Sequence, residues 1–165
     1  MKQIALSGKH GIGKFALVDD EDFEMVNKLK WYADKNEYTF YAKRTDRSSG
    51  KRKNQLLHRV IMNANENNLV DHKDRNGLNC QRNNLRECSR LDNNRNSKSR
   101  KNTTSEYKGV SLKRENKWCA SIGLNGKSKH LGYFKTENEA AKCYDLAAIK
   151  YHGEFANLNF KQNGK

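Results

Sequence analysis

The sequence predicts an α+β protein assembled from short strands and short helices, and three observations carry that prediction. Residues 69–96 read as strand, loop, strand, helix. Residues 106–160 read as three strands followed by one helix. Between them, residues 95–105 are polar, basic and without periodicity, as linkers are. A chain of 165 residues has room for one or two small domains.

Residues 1–54 form a β-rich lead-in. Ile4-Ala5-Leu6 and Lys14 to Val18 read as short strands around a glycine-rich loop. Gly8, four residues, Gly13 and Lys14 approach the spacing of a phosphate-binding loop. Phe15, however, stands where that motif needs a Ser or Thr hydroxyl, and no long helix follows. A glycine-rich hairpin turn explains these residues better. Asp19, Asp20, Glu21 and Asp22 open a helix over residues 21–28, where negative charge suits the first turn. Trp31-Tyr32 and Tyr38 to Ala42 alternate as strands do. Residues 43–53 are a basic loop with six cations among eleven residues. They suit a clamp on backbone phosphates, with Lys43, Arg44, Arg47, Lys51 and Arg52 as candidate contacts, in preference to the alternative of a solvated hairpin tip. Residues 56–62 follow as a short helix or strand. Within them His58 is either a contact for a scissile phosphate or a buried, hydrogen-bonded histidine.

The central unit, residues 55–97, holds the chemistry. Leu69-Val70 runs into Asp71-His72, neighbours on a strand and so directed to opposite sides. Asn76-Gly77 is a strong turn signal, and Asn84 to Cys88 forms a second short run. Ser89 and Asp92 have the spacing of a capping box, so a short helix should begin near Ser89 and carry Asn93 and Asn96. A carboxylate oxygen of Asp71 and an amide oxygen of Asn93 are hard ligands suited to Mg²⁺ or a similar cation. A neutral His72 can take a proton from water. Metal plus base is what phosphodiester hydrolysis requires. On spacing alone, a polar surface hairpin whose Asn residues serve turns explains the same residues equally well.

The last unit, residues 106–161, comes after a basic linker at 98–105. Residues 107–112, 117–122 and 129–134 read as strands, with turns at Glu115-Asn116 and Asn125-Gly126. Thr136 and Glu139 form a capping box, and Ala140, Ala141, Tyr144, Ala147, Ala148 and Tyr151 give an apolar stripe at helical spacing. The small alanines let this helix lie close against the sheet, and Gly153 ends it.

Net charge is +14 and the isoelectric point about 9.7, an excess that favours a polyanionic partner, nucleic acid first. Lys and Arg outnumber Asp and Glu by 22 to 13 over residues 1–104 and by 11 to 6 over 105–165, so both halves are basic. No apolar run approaches 18 residues and no charged-then-apolar leader is present, which leads us to expect a soluble protein of the (host) cytoplasm without membrane partners. Cys80, Cys88, Cys119 and Cys143 form no Cys-x-x-Cys pair, so a zinc knuckle is not expected. Cys119 and Cys143 read as small core residues.

Residues 56–96 resemble the HNH homing-endonuclease family. The match runs through Leu57-His58-Arg59-Val60, Val70-Asp71-His72-Lys73-Asp74, Asn79, Asn84-Leu85-Arg86 and Asp92-Asn93-Asn94-Arg95-Asn96. Residues 15–22 with Trp31 also resemble the segment that often precedes this core. The resemblance implies a ββα-metal nuclease core. It makes His72 the residue that activates water, Asp71 and Asn93 the ligands of a divalent Mg²⁺ or Mn²⁺, and Asn84 the residue that orients His72 by hydrogen bonding. Asn stands in the last position where other members have His, a variant within the family.

Residues 106–160 resemble the APETALA2-type DNA-binding domain. Tyr107-Lys108-Gly109-Val110, Lys117-Trp118, Ile122, Leu131-Gly132-Tyr133-Phe134, Glu139-Ala140-Ala141, Tyr144-Asp145, Ala147-Ala148, Gly153 and Ala156 to Phe160 carry that resemblance. It implies a three-stranded sheet in the major groove of double-stranded DNA, braced by the helix, with Lys108, Lys113 and His130 as contacts. Ser111, Gly123 and Ser128 stand where plant members often have Arg, and Glu115 where they often have Trp. An Arg reads guanine bidentately and Ser or Gly does not, so the plant target sequence does not carry over. Trp118 is expected in the core rather than on DNA. The linker's Lys98, Arg100 and Lys101 are suited to lie along a groove. The expected function is a site-specific, metal-dependent DNA endonuclease, monomeric and nicking, with a dimer or second event needed for a double-strand break. The alternative is a DNA-binding regulator with a vestigial nuclease motif.

Overall fold

The computed structural model describes residues 1–48, 50–97, 103–113 and 116–160. The chain packs as two units, one running through Arg90 and the other from Leu91 onward. The architecture is mixed, with several small sheets, as an α+β chain requires.

In the first unit, β1 (Lys2–Ala5) pairs antiparallel with β2 (Phe15–Val18), so the glycine-rich loop is a hairpin connection and not the strand-to-helix turn of a nucleotide site. After α1 (Asp20–Asn27), β3 (Tyr32–Lys35), β4 (Phe40–Asp46) and β5 (Lys53–Leu56) form an antiparallel meander. Residues 56–62 resolve as a helix, α2 (Leu57–Ile61). β6 (Leu69–His72) then pairs antiparallel with β7 (Leu85–Cys88). A two-stranded hairpin is marginal alone in water. This one is anchored because Cys80 and Leu85 join Ile4, Val18, Val26, Trp31, Leu57 and Ile61 in one apolar core. Residue 54/55, expected as a segment boundary, is therefore not a packing boundary. The backbone of Leu17 on β2 also clips the β6–β7 loop: its N–H donates to Leu78 O and its carbonyl accepts from Cys80 N, both at 2.8 Å.

From Leu91 onward α3 (Arg90–Asn96) belongs to the second unit, so 97/98 is not where the packing divides either. β8 (Val110–Leu112), β9 (Trp118–Leu124) and β10 (Lys127–Phe134) form an antiparallel sheet with β9 in the middle. Asn125 and Gly126 both take positive φ, 48° and 78°, as a tight two-residue hairpin turn demands. α4 (Glu137–His152) starts with the expected box, in which Thr136 Oγ1 accepts from Glu139 N and Glu139 Oε2 accepts from Thr136 N. Its Ala140 and Ala141 pack on Val110 and Ala120, and its Tyr144, Ala147 and Ala148 on Ile122. Trp118 packs against this core, as expected. Gly109 sits at φ 76°, and a Cβ there would stand 2.0 Å from the Tyr144 ring, so only glycine admits the close approach of α4. No helix among the described residues is long and apolar enough to cross a membrane.

Candidate active site and nucleic-acid interface

Asp71 and His72 end β6, opposite Arg86 and Leu85 on β7. Both are buried, at 7% and 4% exposure. Asp71 Oδ2 accepts from Arg86 Nη2 at 2.8 Å and from Nε at 3.1 Å, a buried ion pair that fixes the carboxylate. His72 packs edge-on against His58, with ring centroids 4.6 Å apart, and near Tyr41 at 5.8 Å. The Cys80 thiol lies 3.9 Å from His72 Nε2. Burial holds His72 down to about 4, against the opposing pull of Asp74 and Asp71. Burial, helped by His72 and Arg59, takes His58 to about 3. Both imidazoles are therefore neutral at neutral pH and able to accept a proton. Burial pushes Cys80 up to about 12, so it is a thiol. Of the two readings of His58, the structure gives the buried one, but its Nδ1 has no hydrogen-bond partner.

Asn84 is placed differently from expectation. Its amide donates to Asp74 Oδ1 at 2.9 Å and to Asn79 O at 2.8 Å, and its Oδ1 accepts from Asp74 N at 3.0 Å. It latches the loop that leaves His72 instead of bonding the ring. The reason is local: Asp74 gathers the amides of this loop, accepting also from Asn76 N and Asn79 Nδ2 at 2.8 Å each. Gly77 completes the loop, since a Cβ would meet Phe40 O at 2.5 Å and the Tyr41 ring at 2.6 Å. The acidic cluster at 19–22 serves the same loop. Asp22 takes Arg82 bidentately at 2.6 and 2.8 Å, and Asp19 accepts from Gln81 and from Arg82 N. The Arg82 N–H and the Gln81 amide lower Asp19 from its usual range. Sequence reasoning gave Asp74 and Arg86 no role of their own and passed over Arg82; for the two arginines the signal is an opposite charge, on the neighbouring strand for Arg86 and sixty residues away for Arg82.

Asn93 is exposed on α3, in the second unit. Among the described residues no cluster of three or more His, Cys, Asp or Glu side chains could hold a metal ion. The Asp71 carboxylate in the first unit and the Asn93 amide oxygen in the second are each hard donors of the kind Mg²⁺ takes.

Of the candidate DNA contacts, Arg47, Lys51 and Arg52 are exposed around the β4–β5 hairpin tip. Lys43 and Arg44 are half-buried on β4 and pair with Asp34 and Asp46, both at 3.2 Å. Lys98, Arg100 and Lys101 lie outside the described residues. Lys113 is exposed after β8. His130 is exposed on β10, with Nδ1 3.3 Å from Cys119 Sγ and its ring 4.6 Å from Tyr133. The strand register lines up Ser111 with Cys119 and Tyr133, Ser121 with His130, and Gly123 with Ser128, on the sheet face away from α4. Lys108 departs from expectation: its ammonium is turned onto the carbonyls that end α3.

The chain is 34% identical over 152 residues to an uncharacterized HNH endonuclease of Acanthamoeba polyphaga mimivirus, covering 90% of this chain and 76% of that protein. The chain belongs to the HNH endonuclease family. Shorter matches join this HNH chain to plant proteins. It is 43% identical over 60 residues to APETALA2-like protein 2 of Oryza sativa subsp. japonica, 35% of this chain but only 14% of that protein. It is 45% identical over 62 residues to the AP2-like ethylene-responsive transcription factor PLT2 of Arabidopsis thaliana, 36% of this chain and 11% of that protein. No family model matches the chain.

Proposed function

We propose that this HNH chain is a metal-dependent DNA endonuclease with two DNA-contacting parts, a homing enzyme of a mobile or viral element. The observation that carries the reading is the buried, neutral His72 beside a fixed Asp71 at the end of β6. His72 takes the proton of the attacking water, and Asp74 and Asn84 keep the loop next to it closed. Asp71 would hold Mg²⁺ or Mn²⁺, with Asn93 assigned by the family pattern. When bound, the cation supplies charge stabilisation to the scissile phosphate and its leaving oxygen. The APETALA2-like match is read as the β8–β10 sheet and α4, with Lys113 and His130 on DNA. Arg47, Lys51 and Arg52 clamp the backbone. One such motif per chain nicks one strand.

One observation favours a second reading. Arg86 already neutralises Asp71, as in a protein that binds DNA without cutting it. Supercoiled plasmid carrying the genomic insertion site separates the two. Nicking with Mg²⁺ or Mn²⁺, absent in EDTA and reduced about 10²–10⁴-fold in His72→Ala, is the expected result. DNA binding by wild type and mutant alike with no cutting in any metal would leave the regulator.

A further inference from the structure

Within the second unit, the segment before β8 and the segment after α4 grip the helix that carries Asn93. The Lys108 ammonium donates to the carbonyls of Asn94 at 3.3 Å, Arg95 at 2.6 Å and Ser97 at 2.5 Å. Buried Asn157 donates from Nδ2 to the same Ser97 carbonyl at 2.7 Å. These oxygens belong to the end of α3, where a helix leaves its last carbonyls unpaired and where its dipole is negative. A cation there answers both needs. The grip has its own support. Asn159 Oδ1 accepts from Lys108 N at 2.7 Å and its Nδ2 donates to Lys108 O at 3.1 Å. Asp145, on α4, accepts from the amides of Asn159 at 2.8 Å and Phe160 at 2.9 Å. The connection therefore runs from α3 through Lys108 and Asn159 to α4, the brace of the sheet.

We propose that Lys108 and Asn157 are positioning residues. They fix α3, and with it Asn93, to the sheet and helix that seat DNA, so DNA register and the cation ligand are set by one piece of structure. This rests on the proposed function, in which Asn93 holds the cation and the sheet binds DNA. It also means that Lys108 is not a phosphate contact.

The test uses the full chain with Lys108→Met, Asn157→Ala and Lys108→Arg, each read in three ways. Without metal or DNA, amide exchange over residues 93–97 should quicken in Lys108→Met by about tenfold or more, the loss of a charged hydrogen bond. In EDTA, affinity for the insertion-site duplex and its salt slope should match wild type. In the cleavage assay, half-saturation by Mn²⁺ should rise about tenfold for Lys108→Met and Asn157→Ala, while Lys108→Arg, which keeps charge and several donors, stays near wild type. A Lys108→Met protein with weakened DNA binding and a salt slope smaller by about one would make Lys108 a phosphate contact and overturn the proposal. Unchanged exchange over 93–97 would overturn it too, whatever wild type does with metal. Wild type that binds DNA but responds to no metal would sink the reading of Asn93, and the inference with it, while leaving the exchange result as it stands.

Discussion

In the first unit, the β6–β7 hairpin is tied down by charged and amide side chains. Arg86 lies on Asp71, Arg82 on Asp22, and Asn84 on Asp74. In the second, α4 lies on its sheet through Ala140, Ala141, Ala147 and Ala148, with Gly109 cut back to let Tyr144 in. The difference reflects what each must present. The end of the β6–β7 hairpin carries buried polar groups, so beside the apolar contacts of Cys80 and Leu85 its ion pairs and amide bonds also hold it in place. The β8–β10 sheet has one face covered by α4, and that face is packed with small residues. The first arrangement is strong while complete and fails when one partner is removed.

The largest effect should therefore come from breaking a pair in the first unit. Arg86→Met leaves the Asp71 carboxylate buried without its guanidinium, and removing one partner of such a pair costs about 3–5 kcal/mol. Each unit has its own tryptophan, Trp31 in the first and Trp118 in the second. Urea unfolding in a Trp118→Phe background follows the first unit alone. Asp71→Asn combined with Arg86→Met should recover part of the loss, since no charge is then stranded. A single mutant within about 0.5 kcal/mol of wild type, the ordinary range of a surface change, would mean that the pair contributes no more than an exposed one.

The matching break in the second unit is steric. Gly109→Ala puts a methyl into the Tyr144 ring at a positive φ. Overpacking of this kind costs about 1–3 kcal/mol. Trp118 fluorescence in a Trp31→Phe background should report it, and Trp31 in the first unit should not.

The same contrast decides what was legible in the sequence. The second unit could be read nearly whole because its signals are local. Thr136 and Glu139 lie three residues apart, the alanine stripe repeats within one helix, and Asn125-Gly126 is its own turn. Its strand β8 begins later than the pattern suggested, because the N–H and carbonyl of Lys108 are both taken by the Asn159 amide, some fifty residues on. In the first unit, Asp71, His72 and Asn84 were visible as a motif, but their partners were not. Nothing near Asp22 announces Arg82, and nothing near Asp71 announces that Arg86 faces it, since a register one residue different would have removed that contact. The hydrogen bonds of Lys108 to the end of α3 were hidden for the same reason. Its expectation as a DNA contact came from its place in the APETALA2-type pattern, which says nothing of a helix end more than ten residues earlier.

Acid should sharpen the comparison. The first unit buries His58 and His72, lowered from 6.5 to about 3 and about 4. The unfolded chain binds protons there below pH 6.5 while the folded chain does not, so stability falls as pH drops from 6.5 toward those values. The slope is at most about 1.4 kcal/mol per pH unit for each proton. His58→Phe should flatten the Trp31 profile by up to one proton. In the second unit His152 is also lowered by burial, but the Gly123 carbonyl opposes the shift, so the Trp118 profile should slope less. Equal slopes for the two reporters would remove the contrast.

The smallest effect belongs to an exposed polar device of the second unit. Thr136 and Glu139 satisfy each other's backbone amides at the start of α4, in water rather than in a core. Loss of an N-cap hydroxyl costs about 1 kcal/mol, because water replaces part of what is removed. Thr136→Ala should therefore shift the Trp118 unfolding midpoint slightly and leave Trp31 unmoved, and Thr136→Ser or Thr136→Asp should restore it. The Arg86→Met loss should exceed it several-fold, although both remove hydrogen bonds to a charged or polar partner. If the two losses came out alike, burial would not be what gives the first unit's pairs their weight, and the division between a charge-tied hairpin and an alanine-packed sheet would carry no energetic meaning.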